Sequence, residues 1–172
     1  MTLNIFFKLV IAISVSEAAG VISVFFTAPA VQSNWYLELV KPALNPPAWV
    51  FGPVWTTLFA LMGIAAFLIW REHDKLTLSE VEGLAIQRKK QIKIALSIFL
   101  GQLVLNTLWS IIFFGLHSPG GALIEIVFLW FAILATIIVF YKISKPAAWL
   151  LVPYILWVSF ATYLNYAIWM LN

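Results

Sequence analysis

Long apolar runs alternate with short polar segments along the chain, and this alternation predicts the fold. Each run is about 20 residues or more, which is enough for a helix to cross a hydrocarbon core of roughly 30 Å. Strands of a membrane β-barrel would be half as long and would alternate polar and apolar residues. The pattern predicts an all-α membrane protein, a five-transmembrane-helix bundle, with spans at residues 5–28, 48–70, 92–116, 122–141 and 148–171.

The composition favours a single membrane domain over residues 1–172. The chain is 63% hydrophobic and 10% charged, whereas a soluble domain is about half apolar and about a quarter charged. The five spans occupy nearly the whole sequence, which leaves no stretch for a soluble module. Residues 16–19 imitate a signal-peptide cleavage site, but the apolar run continues beyond them, so we expect the first span to be retained.

Positive charges fall on one side of the five predicted spans. Nine of the ten Lys and Arg residues flank the N-terminus, the segment 71–93 or the turn after the fourth span, and only Lys41 lies on the other side. The positive-inside rule then predicts a cytoplasmic N-terminus and an external C-terminus. We expect an integral protein of the bacterial inner, cytoplasmic membrane. Because the charges belong to these loops, the net charge of +3 does not indicate a nucleic-acid partner.

A loop rich in aromatic residues and proline, residues 30–47, joins the first two spans on the external side. Proline restricts the backbone, so such a loop loses less conformational freedom when it orders over a ligand. We predict that it forms a lid over the outer mouth of the bundle. The hydrophilic segment 71–90 is interpreted instead as a solvated connector, in which residues 79–82 could cap a short helix.

Polar and aromatic residues share helical stripes at one depth beneath this loop. The stripes consist of Trp55, Phe59 and Met62, of Gln102, Asn106, Trp109 and Phe113, and of Trp157, Ala161 and Asn165. Polar residues at membrane depth face the bundle interior or a cavity. The stripes therefore indicate an apolar pocket with a few polar contacts, in which the small Ala161 leaves room for a flat ligand. The alternative interpretation is helix packing supported by hydrogen bonds between helices.

Motifs for catalysis and metal binding are missing from the sequence. It has no cysteine, no glycine-rich phosphate loop and no histidine cluster, so we predict no catalytic residue, no metal site and no cofactor. His73 and His117 lie in loops on opposite membrane faces, which disfavours the alternative that either of them binds haem iron. Glu17 and Glu125 lie inside spans, where a lone carboxyl is neutral or paired. For Glu17 we prefer a structural hydrogen bond to a proton relay.

Trp130 lies in the middle of the fourth span and on none of the three stripes. We expect it to face lipid or a partner subunit.

Several motifs follow one another in a characteristic order along nearly the whole chain. They are Trp35-Tyr36, Lys41-Pro42, Pro46-Pro47, Trp49, Pro53 and Trp55 in and after the first loop, Leu105 to Trp109 and Phe113 to Gly115 in the third span, and Pro153-Tyr154, Trp157, Phe160 to Tyr166 and Trp169 in the fifth. This series resembles the translocator protein family, also called the TspO/MBR family, tryptophan-rich sensory proteins or peripheral benzodiazepine-receptor homologues.

The resemblance implies a five-helix bundle, often a homodimer in the lipid bilayer, whose first loop closes a pocket. It implies a porphyrin, including protoporphyrin IX and haem, or another flat hydrophobic molecule as the ligand. The stripes and the resemblance together give the predicted ligand-binding residues: Trp35, Tyr36, Pro47, Trp49, Trp55, Phe59, Asn106, Trp109, Phe113, Trp157, Ala161 and Leu164.

The resemblance also raises cholesterol, which animal members bind. Their motif in the last helix needs a Lys or Arg after its Leu and Tyr. Here no basic residue follows Leu164 and Tyr166, so we expect weak cholesterol binding.

A membrane-embedded binding or sensory protein for tetrapyrroles is the preferred function, with a role in their transport or in stress regulation. Flat macrocycles suit a slot lined by tryptophan because ring stacking adds to the burial of apolar area. Lys41 could meet the propionates of such a ligand. The alternatives are a passive transporter, a structural membrane protein, and a light-assisted enzyme that degrades porphyrin with Trp55 or Trp157 as a redox-active aromatic.

Overall fold

Helices make up the fold in the computed structural model, which describes residues 4–75 and 82–172. They are α1 (Ile5–Val31), α2 (Asn34–Glu38), α3 (Ala48–Lys75), α4 (Glu82–Ser110), α5 (Pro119–Ile143), α6 (Lys145–Trp149) and α7 (Val152–Leu171). A π-helical turn, Ile111–Gly115, continues α4. Five segments are long and apolar enough to cross a membrane: Ile5–Val31, Ala48–His73, Ala85–Gly115, Pro119–Ile143 and Lys145–Leu171. The predicted all-α, five-span fold is confirmed.

The boundaries of the helices depart from the predicted spans most clearly in the third and fifth spans. Helix α4 begins at Glu82, so much of the segment interpreted as a solvated connector is helical. Helical hydrogen bonds do not require apolar side chains, which is why hydropathy alone misses this extension. The fifth span is divided into α6 and α7, because Pro153 fits the first turn of a helix but not its interior. The predicted cap at residues 79–81 lies outside the described residues.

One hydrophobic core runs through the bundle and includes side chains from all five spanning segments. Met62, Ile92, Ile133 and Tyr154 are among its fully buried members. Large apolar side chains also cover the outside, where Phe25, Leu100, Phe128 and Leu156 are exposed. Exposed apolar surface on this scale would be unfavourable in water, but hydrocarbon tails solvate it well. The exterior therefore suits a lipid environment.

The pattern of contacts between helices leaves a space between α3 and α7, and the candidate site lies there. Helix α1 packs on α3 and α4, α4 packs on α5, and α5 packs on α7. Within the part of the chain that is described, α3 and α7 make few close backbone contacts with each other. Their side chains meet across the gap, where the rings of Phe51 and Trp157 are 6.0 Å apart in an edge-to-face arrangement. The space enclosed by α1, α3, α4 and α7 forms a cavity.

Candidate functional site

A cavity of about 390 Å³ lies between α1, α3, α4 and α7, with α2 at one end. Ligand pockets typically have volumes of about 300–1,000 Å³ and a wall that is mainly apolar. Apolar and aromatic side chains form most of this wall as well. Many of the residues predicted from the sequence are among those lining it: Tyr36, Trp55, Phe59, Asn106, Trp109, Trp157 and Ala161.

The remaining predicted residues lie near the cavity but do not line it. Trp49 is 74% exposed in the first turn of α3, and Pro47 precedes that turn. Leu164 is buried in the interior of α7. Trp35 and Phe113 pack against each other, with ring centroids 6.0 Å apart. Their place in ligand binding stays a prediction.

The π-helical turn explains the position of Phe113. Uniform α-helical spacing would place this residue on the same stripe as Asn106 and Trp109. A π-helical turn has wider hydrogen-bond spacing, so it shifts the register of the residues that follow. Phe113 is therefore buried behind Trp109, with ring centroids 5.3 Å apart, and Phe114 lines the cavity instead. π-Helical turns often occur at functional sites.

Sequence reasoning missed the contribution of α1, which forms one wall of the cavity. The signal was present as a helical spacing of small, polar and β-branched residues: Glu17, Gly20, Val21, Val24, Thr27 and Val31. The hydrogen bond expected for Glu17 is not seen, since its carboxyl has no hydrogen-bond or ion-pair partner among the described residues. Large aromatic side chains are absent from this face of α1, so the sequence does not distinguish it from a face that contacts lipid or packs on another helix.

Ring contacts hold the aromatic wall on α3 in place. Trp55 stacks on Phe59 with ring centroids 5.6 Å apart and an interplanar angle of 29°. Its other contact is edge-to-face with Tyr154, at 6.3 Å. Such pairs add about 0.5–1.5 kcal/mol each beyond area burial. The Trp55 ring is thus fixed before any ligand arrives.

A hydrogen-bonded layer supports the wall on α4. Asn106 donates from Nδ2 to the Tyr154 hydroxyl at 2.9 Å. Trp109 donates from Nε1 to Oδ1 of Asn165 at 2.9 Å, and Asn165 in turn donates to the carbonyl of Pro119 at 2.7 Å. Asn165 therefore acts from behind the cavity, by orienting the Trp109 indole. Trp157 differs, because its buried Nε1 has no hydrogen-bond partner in the described part of the chain.

Ring stacking holds the lid segment against the bundle, and a lysine braces the segment internally. Trp35 stacks on His117, with ring centroids 4.1 Å apart and an interplanar angle of 14°. Lys41 donates to the carbonyl of Tyr36 at 2.7 Å, and its ammonium lies 4.3 Å from the centre of that ring. Burial raises the pKa of Tyr36, whose ring lines the cavity. Lys41 thus connects two parts of the lid, and its expected role as a propionate contact stays a prediction.

A clamp formed by Asn172 joins the lid to the end of α7. Its side chain accepts from the backbone N–H of Val40 at 3.0 Å and donates to the Val40 carbonyl at 3.1 Å. It also donates to the carbonyl of Ile168 at 2.8 Å. The pair of bonds to Val40 mimics a strand contact and fixes the C-terminal end of the lid.

Replacing Asn172 with alanine is expected to loosen the lid without unfolding the bundle. Both bonds to Val40 are lost, at a cost of about 1–3 kcal/mol for two hydrogen bonds. Hydrogen–deuterium exchange of residues 34–41 should accelerate severalfold. Asn45→Ala is the matched control, because the Asn45 side chain bonds only to its neighbour Pro46. Equal exchange of the lid in both variants would contradict the clamp.

Three further polar or aromatic residues lie away from the cavity. Gln102 is buried one turn from Asn106, and neither its amide nitrogen nor its oxygen has a hydrogen-bond partner among residues 4–75 and 82–172. Within the same residues, both carboxyl oxygens of the buried Glu125 also lack a hydrogen-bond partner. Trp130 is half-buried between α5 and α7 and donates to the Ser159 hydroxyl at 2.8 Å. Among the described residues, no group of three His, Cys, Asp or Glu side chains could hold a metal ion.

Comparison with known proteins gives a consistent assignment. The TspO/MBR family model matches residues 12–170. The chain is similar to the tryptophan-rich protein TspO of Chlorobaculum tepidum, with 43% identity over 164 residues that cover 95% of each chain. It is 40% identical to the human translocator protein over 136 residues, 79% of this chain and 73% of the human one. It is 36% identical to the tryptophan-rich sensory protein of Cereibacter sphaeroides, over 81% of this chain and 77% of that protein.

Proposed function

The chain belongs to the TspO/MBR family, and we propose that it is a membrane-embedded binding or sensory protein whose cavity takes flat hydrophobic ligands, tetrapyrroles above all. The observation that carries this proposal is the pre-formed aromatic wall. Trp55, Phe59, Trp109 and Trp157 surround one space, with few polar groups between them. A planar macrocycle in that space would bury a large apolar area and stack on rings that are already fixed.

Pre-organisation strengthens the case for binding over mere helix packing. The Trp55 ring is fixed by Phe59 and Tyr154, and the Trp109 indole by Asn165. Side chains that are immobile before binding do not lose further rotamer freedom when a ligand arrives. Packing alone would fill the space between these rings, as protein interiors are normally filled. A cavity of about 390 Å³ between them supports a ligand role.

Titration with protoporphyrin IX tests this function. We expect saturable quenching of tryptophan fluorescence in lipid nanodiscs, because several indoles line the cavity. Trp109→Phe removes one lining indole and should reduce the quenching, whereas Trp130→Phe, outside the cavity, should not. Quenching that does not saturate, or that Trp109→Phe leaves unchanged, would contradict a specific binding site in the cavity. Product analysis in the dark and in light, and flux into vesicles, separates simple binding from degradation and transport.

The proposed topology places the N-terminus in the cytoplasm and the lid outside, in the inner membrane of a bacterial host. The nine-to-one distribution of Lys and Arg supports it. An alkaline phosphatase fused after Asn172 should then be active. Activity from a fusion in the segment 76–81, and none from the C-terminal fusion, would reverse the orientation.

The family resemblance also supports a homodimer, which molecular-mass measurement in detergent would test.

A further inference from the structure

A single carboxyl group stands in the wall of the otherwise uncharged cavity. Glu17 lies near the middle of α1 and lines the cavity together with Gly20 and Val21. No described residue forms a hydrogen bond or ion pair with it. An ionisable side chain in the middle of a span is costly, so its retention points to a functional partner.

Among the residues that the structure describes, no protein cation near Glu17 could serve as that partner. None of the described residues lining the cavity is a Lys, Arg or His, and Tyr36 is the other titratable group among them. Lys41, at the lid end, is engaged by the carbonyl and ring of Tyr36. Lys8 lies more than two helical turns from Glu17 along α1 and is close to the ring of Trp70. A compensating charge would have to arrive with the ligand.

Aromatic rings line the same cavity as this carboxyl and approach α1 one helical turn from it. A side-chain atom added at Gly20 would lie 2.6 Å from the ring of Phe59, so α1 and the Trp55–Phe59 stack are in close contact here. Glu17 is one turn of helix from Gly20 and shares its face. A carboxylate that shares a cavity with Trp and Phe rings suits organic cations, since the ring quadrupole and the carboxylate both attract positive charge.

We propose that Glu17 sets the charge preference of the cavity, favouring flat aromatic ligands with a cationic nitrogen and disfavouring anionic groups at its depth. This inference rests on the proposed function, because it specifies the ligand class of the same cavity. For a tetrapyrrole it predicts an orientation: the propionates lie toward the lid and away from Glu17. Coulombic interactions are stronger at the low dielectric constant of a membrane interior than in water, so one carboxyl is enough to rank ligands of the same shape.

Three probes with the same three-ring frame test the preference: cationic 9-aminoacridine, neutral 9-methylanthracene and anionic anthracene-9-carboxylate. Dissociation constants would be measured by fluorescence in nanodiscs of zwitterionic lipid. Since a tenfold change in affinity corresponds to about 1.4 kcal/mol, a partly shielded ion pair predicts a preference of roughly tenfold for the cation over the neutral probe. The anion should bind more weakly than the neutral probe.

Glu17→Gln removes the charge and keeps the shape of the side chain. It should weaken binding of the cation roughly tenfold, strengthen binding of the anion and leave the neutral probe unchanged. The unchanged neutral probe also shows that the variant is folded. Glu17→Asp keeps the charge and should retain the ranking. Glu125→Gln is the matched control, because Glu125 is an intramembrane carboxyl that does not line the cavity.

The inference would be overturned by an unchanged ranking of the probes in Glu17→Gln, or by an equal loss of cation binding in Glu125→Gln. If the three probes bind with the same affinity and Ala161→Leu weakens them all, the cavity binds ligands but Glu17 does not select among them. If neither the probes nor protoporphyrin IX binds saturably, the proposed function itself fails.

Discussion

Replacing Gly63 with alanine is expected to destabilise the bundle more than any other single methyl addition discussed here. A Cβ atom at Gly63 would lie 2.5 Å from the Cα of Ile13 and 2.9 Å from its backbone nitrogen. Backbone atoms of a helix cannot rotate aside as a side chain can, so α1 would have to move away from α3. Overpacking of this kind costs about 1–3 kcal/mol and sometimes more. We expect a lower melting temperature in detergent.

Gly101→Ala is the control, because we expect this substitution to maintain or raise the stability of the protein. Apart from the backbone of α4 and the two neighbouring residues, no described atom lies within 4 Å of a Cβ added there, and the residue is in the interior of α4. Alanine is favoured over glycine in a helix by about 1 kcal/mol, so this variant should be at least as stable as the parent protein. Because α1 also walls the cavity, Gly63→Ala should weaken ligand binding as well. Equal melting temperatures for the two variants would contradict the close packing of α1 on α3.

The fold was predictable because its main signal is length and hydropathy. A run of about 20 apolar residues has few structural alternatives in a membrane, where backbone groups must be satisfied within the segment. Details that depend on local hydrogen bonding were less accessible. The amphipathic start of α4 at Glu82 carries too many charges to resemble a span, and the break before α7 depends on the placement of Pro153.

The candidate site was predictable to the extent that helical spacing stays uniform. Asn106 and Trp109 precede the π-helical turn and line the cavity as their spacing predicts, whereas Phe113 lies within the turn and does not. The wall on α1 was missed for a different reason. Its residues are small or β-branched, and such residues are common in any span, so only the position of α1 against α3 reveals their role.

The contacts of the lid were not predictable from the sequence, for a third reason. The sequence indicates a restricted loop over the bundle, but contacts between distant segments cannot be inferred from spacing. Trp35 reaches His117, and Val40 reaches Asn172, across more than 80 residues of sequence in the first case and 132 in the second. His117 adopts a left-handed backbone with φ of 52°, a turn geometry in which its ring stacks on Trp35. Each pairing depends on how the helices pack.

Replacing Ala161 of α7 with leucine, which fills part of the cavity, is expected to abolish tight ligand binding while preserving the fold. Ala161 lines the cavity, so a leucine there would place three additional carbon atoms in the space that a ligand would occupy. A ligand that is displaced or tilted by such a group loses about 1–3 kcal/mol of binding free energy. This loss corresponds to a roughly tenfold to hundredfold weaker affinity for protoporphyrin IX. Tryptophan quenching by the porphyrin provides the measurement.

The melting temperature of the ligand-free protein distinguishes a variant that cannot bind the ligand from a variant that is misfolded. Because the new side chain enters empty space, the ligand-free melting temperature of Ala161→Leu should not fall. Ala18→Leu is the matched control, since Ala18 is exposed on α1 and does not line the cavity; its porphyrin affinity should equal that of the parent protein. If Ala161→Leu bound the porphyrin as tightly as Ala18→Leu at equal stability, the ligand would occupy some surface other than this cavity. A fall in both affinity and melting temperature would instead show that Ala161 packs against a neighbouring helix.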